Sequence, residues 1–474
     1  MKIVPLDPAA ARSREALEEF LGGCREAARA RGRAQLVSIT VESEHLDPLA
    51  VLESIYEPRE LHFYRECRAE RTAVAGAEAV ASFTPVGAGR FAGAKHFIAD
   101  TLDNTIAVGD VGLPFAGPHF FCAFGFFDQS EPDAPFPAAT IFVPRWQVGC
   151  GGDRFSAVAN LMVGADSDVP ALVGKVWRAS AKFRAFDYAQ AAPENLARGG
   201  GFETTEVNRA GGYRESVREA LALIGRGVFR KIVVARALEA RANGPFHPLA
   251  VLNTLRQRFP DCHAFSVGNG RGQSFIGASP ERLVRMRGRE IETEALAGTA
   301  RRGRSAGEDA KLAGELLRSE KDLHEHALVV ESLVRRLARI GIEAAVSARP
   351  RVKQLSNVQH LHSPVAGRAP ESLHVLDAVA ELHPTPAVGG TPREAACAHI
   401  RELEAFNRGL YAGPIGWVDH RGDGEFLVGI RSALVDGARA RVMAGNGIVA
   451  GSEPDKEMAE TEAKFRAMLD VLAE

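Results

Sequence analysis

The chain has almost no net charge: 58 Lys and Arg stand against 60 Asp and Glu, a formal −2. No global field therefore draws it to nucleic acid or to an anionic membrane. It also lacks any cysteine motif. Cys24, Cys67, Cys122, Cys150, Cys262 and Cys397 are scattered, with no CxxC and no ligand-like spacing to histidine. That argues for reduced thiols in a cytosolic compartment and against a zinc site. No stretch is long and apolar enough to span a bilayer. The first twenty residues lack the apolar centre of a signal peptide, so a cytoplasmic protein is expected. Internal repeats and low-complexity segments are absent, and no dinucleotide fingerprint follows any predicted strand.

What is present is an ordinary soluble composition. The 474 residues have room for two or three domains or for one large α/β assembly. Residues 13–31 read as an amphipathic helix with Leu17, Phe20 and Leu21 inward, and 35–41 as a strand. From about 60 to 180 the pattern is mostly strands and glycine turns. The run Phe120 to Phe127 is apolar enough to need cover on both faces. Residues 187–212, poor in apolar side chains and rich in glycine, read as a loop or linker. After it come a helix at 213–224, a strand opening at Lys231, a helix at 248–258 and a hairpin turning at GNGRG. ALAGTARRGRSAGED (295–309) reads as a basic loop, Gly413 to Ala433 as a long hairpin, and 456–472 as a last helix.

Two helices carry the candidate chemistry. In Lys321 to Arg339, the spacing of Leu323, Ala327, Val330, Val334 and Leu337 predicts a buried stripe. Asp322 and Glu325, three apart, share a face. Carboxylates beside apolar surface need partners, either a nearby Arg or Lys or a hard cation such as Mg²⁺. In the last helix Glu457, Glu460 and Lys464 form a second line. It is either a solvated ion pair or half of a site on which two helices converge. Arg431, read as part of the strand EFLVGIRSA, suits bidentate carboxylate binding or is an ordinary strand charge. A turn at Gly445-Asn446-Gly447 offers backbone N–H groups to an anion. Lys231 opens an apolar strand. Pointing inward it is a usable base, since burial favours a neutral amine; otherwise it snorkels outward. Glu281 is a candidate acid if its setting is apolar, or else a partner for an arginine.

In order along the C-terminal part stand KIVVAR (231–236), GASPERL (277–283), ALAGT (295–299), SEKDLHEH (319–326), VQHL (358–361), HPTPAVGG (383–390), YAGPIGW (411–417), GIRSA (429–433), GNGIV (445–449) and EMAETEAKF (457–465). This ordered set resembles the chorismate-utilising enzymes, with looser matches at FYRE (63–66) and FVPR (142–145). The resemblance implies one large α/β (α+β) unit, with antiparallel sheets packed as a sandwich, helices outside and the site in a cleft. Residues 1–205 would form the scaffold half and 206–474 the catalytic region. Glu325 and Glu460 would be direct Mg²⁺ ligands, with Asp322 and Glu457 behind them. Arg431 and the backbone at Gly445 and Gly447 would hold the enolpyruvyl carboxylate, with Lys464 adding charge. Gly298 and His360 would line the ring, with Thr299 and Ala387 among the substrate-binding residues. The family usually has a small residue where Asn446 sits.

Three positions narrow the resemblance. Amine-using members carry glutamine in place of Lys231, so lysine implies water as the nucleophile. Ala297 stands where aminodeoxychorismate synthases have a lysine nucleophile, and alanine forms no such adduct. Ala387 stands where salicylate synthases tend to have threonine. The pattern is similar to that of the isochorismate synthases: Lys231 activates water to attack C2 of chorismate, and Glu281 protonates the departing C4 hydroxyl. The alternatives are salicylate synthesis, in which the same intermediate goes on to lose pyruvate, and a non-catalytic metal- or anion-binding relative. Chorismate is the expected partner, without nucleic acid, membrane or glutaminase subunit, and the expected state is a monomer.

Overall fold

The fold turns on one long strand, Ala139–Gly151. In the computed structural model, which describes residues 1–4, 13–184, 201–207, 211–356 and 358–474, this strand belongs to two sheets. Its first part pairs with Phe120–Phe124 and its second with Arg154–Val163. Its other edge runs along Thr72–Phe83, with a bulge between Ala79 and Ala81. Such a bulge bends a strand and lets the sheets diverge.

One sheet continues from Thr72–Phe83 through Leu61–Cys67, His263–Asn269, Gln273–Ser279, Ser432–Asp436 and Arg439–Val449 to Lys231–Ala242 and Phe202–Val207. The other runs from Phe120–Phe124 through Pro414–Val418, Gly424–Val428, Arg282–Arg287 and Glu290–Arg301 to Val358–Arg368. All these pairings are antiparallel; among the described residues Thr105–Val108 alone makes parallel ones, to Lys2–Val4 and Gln35–Ser43. Each sheet thus draws strands from both halves of the chain. Their inner faces share one apolar core, in which Phe63 stacks on Phe121 at 4.4 Å. Phe120 to Phe124 are all buried, as a strand covered on both faces requires. Helices cover the outside, and the expected architecture is the one observed. All six cysteines are unpaired.

Several local readings need correction. The stretch 295–309 is not a loop. It continues strand Glu290–Arg301, and a helix, Ala306–Leu316, follows with Ser305 as its cap. Gly298 marks a bulge at φ 76°, not a turn. Of the expected linker, 185–200 and 208–210 lie outside the described residues, but Phe202–Val207 is an edge strand on Ala237–Ala242. An edge strand buries little, so it needs little apolar content. Helices Arg90–Asp103 and Val375–Leu382 were not anticipated.

The helix Glu320–Arg339 buries His326, Val329, Leu333, Arg336 and Leu337, while Ala327 is exposed. Its inward stripe contains polar residues whose partners lie elsewhere: His326 bonds Ser363 at 2.9 Å, and Arg336 donates to the Glu381 carbonyl at 2.9 Å. A purely apolar reading selects a neighbouring face. Val329, Leu333 and Leu337 each contribute about 2 kcal/mol by burial.

Candidate active site

The chain changes sheets between Val428 and Ser432, and a cleft opens beside that crossing. The long hairpin therefore ends at Val428, and Arg431 lies in no strand. Its backbone sits at φ 52°, and its carbonyl accepts from the Ala278 N–H at 3.1 Å. A bulky residue at positive φ is strained and is held there by its surroundings. The Arg431 guanidinium makes no ion pair among the described residues, although it faces the cleft. Gly445, Asn446 and Gly447 are likewise not a turn. They continue strand Arg439–Val449, opposite Ala235, Val234 and Val233. Met443, Ala444, Gly445 and Gly447 of this strand line the cleft.

The helices Glu320–Arg339 and Pro454–Leu472 bring Asp322, Glu325, Glu457 and Glu460 to the same cleft. Of the sequence-selected residues, only Lys231 is not on its wall. Lys231 is fully buried just behind, where its Nζ donates to Glu325 Oε1 at 2.8 Å. Two further ammonium groups answer carboxylates: Lys321 pairs with Glu457 at 2.7 Å and Lys464 with Glu460 at 2.8 Å. Burial works to raise the Glu460 carboxyl, but Lys464, together with Lys321 and Arg431, outweighs it and leaves the group below its ordinary range. Asp322 lies above its ordinary value, chiefly through burial, although the Ser319 hydroxyl donates to it.

Gly447 makes the Lys231–Glu325 contact possible. A Cβ there would collide with Glu325 Oε1 and lie 2.7 Å from Lys231 Cε. Gly447→Ala should therefore displace both side chains and cost about 10²-fold in turnover, the scale of an ångström-sized misplacement. The fold should persist by circular dichroism. Near-normal turnover would show that the contact is dispensable.

Glu281 lines the same cleft. It is buried, and its carboxyl is pushed up to about 8 by desolvation, aided by the nearby Glu294 carboxylate and opposed by Lys231 and Lys353. Glu281 is thus protonated at neutral pH. His360 is held neutral by burial, its Nδ1 3.2 Å from the Gly298 carbonyl and 3.1 Å from the Thr299 hydroxyl. Its Nε2 is buried without a protein partner among the described residues. With Nδ1 donating to the carbonyl, Nε2 is left as an acceptor.

Arg408 and Lys321 were not singled out from the sequence. Arg408 is buried against Glu404 and donates to the carbonyls of Val388, at 2.8 Å, and Val233, at 2.9 Å. It thereby ties the loop bearing Ala387 to the strand that begins at Lys231. Its only sequence signal was the i, i+4 spacing from Glu404, which a surface pair shares. Lys321 lies inside SEKDLHEH, and its partner is 136 residues away.

A family model described as "Chorismate binding enzyme" matches residues 21–473. The chain belongs to the chorismate-binding enzymes. Among curated family members, it is 39% identical over 345 residues to the salicylate biosynthesis isochorismate synthase of Pseudomonas aeruginosa, covering 73% of this chain and 70% of that protein. It is 33% identical over 359 residues to the isochorismate synthase MenF of Bacillus subtilis, covering 75% of each. Among solved structures, the putative 2,3-dihydroxybenzoate-specific isochorismate synthase DhbC from Bacillus anthracis aligns with a TM-score of 0.69 at 26% identity, over 90% of this chain and 99% of that one. The menaquinone-specific isochorismate synthase MenF from Escherichia coli shares the fold, with a TM-score of 0.76 at 24% identity over 96% and 100%. As a chorismate-binding enzyme, the protein takes a substrate with two carboxylates. The unpaired Arg431 and the ammonium groups of the cleft are cations suited to such a ligand. No helix among the described residues is long and apolar enough to cross a membrane.

Proposed function

We propose that this protein is an isochorismate synthase, exchanging the C4 hydroxyl of chorismate for a C2 hydroxyl derived from water. The observation that carries this reading is the pairing of a buried lysine, Lys231, with a buried acid, Glu281, that keeps its proton at neutral pH. Curated relatives bearing that name add support. Lys231 takes a proton from water as the water oxygen bonds to C2. The ring double bonds shift, the C4–O bond breaks, and Glu281 gives its proton to the departing oxygen. One water enters and one leaves, so the reaction is freely reversible. For Lys231 to accept the proton it must first be a neutral amine, having given up a proton and turned its lone pair toward the water rather than toward Glu325. Arg431 and the backbone at Gly445 and Gly447 orient the enolpyruvyl carboxylate, and Lys464 adds positive charge. Gly298, Thr299, His360 and Ala387 bound the ring.

The carboxylates of the cleft fit Mg²⁺. They offer only oxygen donors, the preference of a hard cation. No group of three or more candidate ligands gathers at one point among the described residues. Mg²⁺ characteristically takes only one or two carboxylates, with waters and substrate oxygens completing its shell. Glu325 and Glu460 would hold it, with Asp322 and Glu457 behind. When bound, it would supply positive charge to the ring carboxylate. Residues 1–205 serve as scaffold and 206–474 as the catalytic region. The same reading carries a cytoplasmic monomer that needs no ammonia-supplying subunit.

The test is product analysis after incubation with chorismate and Mg²⁺. Isochorismate as the accumulating product is expected. Salicylate with pyruvate would instead identify a salicylate synthase, and absence of turnover would leave a binding protein.

A further inference from the structure

Behind Glu281, on the side away from the cleft, lies a second carboxylate that the mechanism does not use. Glu294, on strand Glu290–Arg301, keeps 12% of its side chain exposed and is fixed at both oxygens. Oε1 accepts from the Arg282 N–H at 3.0 Å. Oε2 accepts from Lys353 Nζ at 3.0 Å and lies 2.7 Å from His362 Nε2. Lys353 also reaches the Pro280 carbonyl at 3.3 Å. The Glu294 carboxylate is therefore clamped against the backbone on both sides of Glu281. These partners hold Glu294 far below the ordinary carboxylate range, despite burial that opposes them. It is a permanent negative charge beside an acid that must keep its proton.

We propose that Glu294 is a positioning residue for the acid step: clamped by Lys353, His362 and the Arg282 amide, it presents a fixed negative charge that keeps the proton on Glu281. This rests on the isochorismate synthase reading for the role of Glu281, but the geometry of the clamp does not. The charges facing Glu281 are of both signs. Lys231 approaches from strand Lys231–Ala242 and Lys353 from strand Arg351–Gln354, and both favour its ionised form. Arg431, Lys464 and the four helix carboxylates line the same cleft as Glu281. Arg282, beside Glu281 in sequence, is engaged by Glu70 and Glu425. Burial alone must therefore contend with two nearby ammonium groups, and Glu294 is the counterweight.

The arrangement predicts opposite effects from two substitutions. Glu294→Gln removes the negative charge, so Glu281 should lose its proton more easily. The alkaline limb of kcat/KM should move down by about one pH unit. Lys353→Met removes a cation near Glu281 and should move the same limb up, or at least not down. Glu294→Asp keeps the charge and should restore most of the wild-type profile. A purely structural role would lower activity at every pH without moving the limb. Infrared difference spectra give a readout apart from turnover: the protonated-carboxyl band lost in Glu281→Gln should titrate at lower pH in Glu294→Gln. Circular dichroism checks that each variant is folded; if Glu294→Gln does not fold, Lys353→Met carries the test. A limb that stays in place in Glu294→Gln, or moves down in Lys353→Met, overturns the proposal. If wild type makes no isochorismate, the functional reading has failed instead, and the infrared titration still decides the clamp.

Discussion

Lys231→Gln is expected to lower isochorismate formation by about 10²-fold or more, the usual loss when a general base is removed. The reason is topological. Water must lose a proton at C2 while a hydroxyl gains one at C4, so two groups in opposite protonation states are needed. Lys231 opens one strand and Glu281 follows the end of another, so the two groups come to the cleft from separate strands. Glutamine is one atom shorter than lysine; it retains an N–H donor but cannot take up a proton. Chorismate affinity, measured by calorimetry, should change little, because Arg431 and the backbone of Gly445 and Gly447 are left intact. The companion change Glu281→Gln should reduce turnover to a similar degree. In the wild type, activity should fall as pH rises through about 8, where the Glu281 carboxyl loses the proton it donates. Near-normal isochorismate formation by Lys231→Gln would place the base elsewhere.

Glu325→Ala or Glu460→Ala should nearly abolish turnover, and excess chelator should do the same to the wild type. The motive is the arrival of four carboxylates from two helices at one cleft, where lysines pair with three of them and Asp322 has no lysine partner among the described residues. That balance leaves room for a divalent cation, which supplies charge that the ammonium groups do not. Loss of Glu325 also strands Lys231, buried and without its carboxylate, a change that is strongly destabilising in its own right. Glu460 is partly exposed and makes the cleaner test. Its alanine variant should fold normally, bind Mg²⁺ at least tenfold more weakly by calorimetry, and fail to turn over. Full activity in chelator would return these residues to ordinary ion pairs.

Much of the fold was legible because the periodicities are strong. The helix at Pro248–Arg258 matches its sequence pattern end to end. The misses share a cause. The inward stripe of Glu320–Arg339 includes His326, Ser332 and Arg336, whose partners are distant in sequence, so an apolar pattern cannot find it. Gly298 was read in a loop and Gly447 in a turn, yet one marks a bulge and the other clears space for a side-chain pair. The crossing of Arg431 from one sheet to the other leaves no local trace beyond the glycine before it. The site residues were nameable because motifs in a fixed order carried them. Arg408 and Glu294 were not, because their function is to hold others. Asn446 is a further case. Its amide donates to the Glu457 carbonyl at 2.8 Å and carboxylate at 3.1 Å, and its oxygen accepts from Lys464. A position usually small in the family is here a tie between strand and helix.

The account stands most directly on the origin of the new hydroxyl. Turnover of chorismate in H₂¹⁸O, stopped early and analysed by mass spectrometry, should give isochorismate with one ¹⁸O in its C2 hydroxyl. Unlabelled isochorismate would mean that the C4 hydroxyl itself migrates, and would contradict the pairing of Lys231 as base with Glu281 as acid.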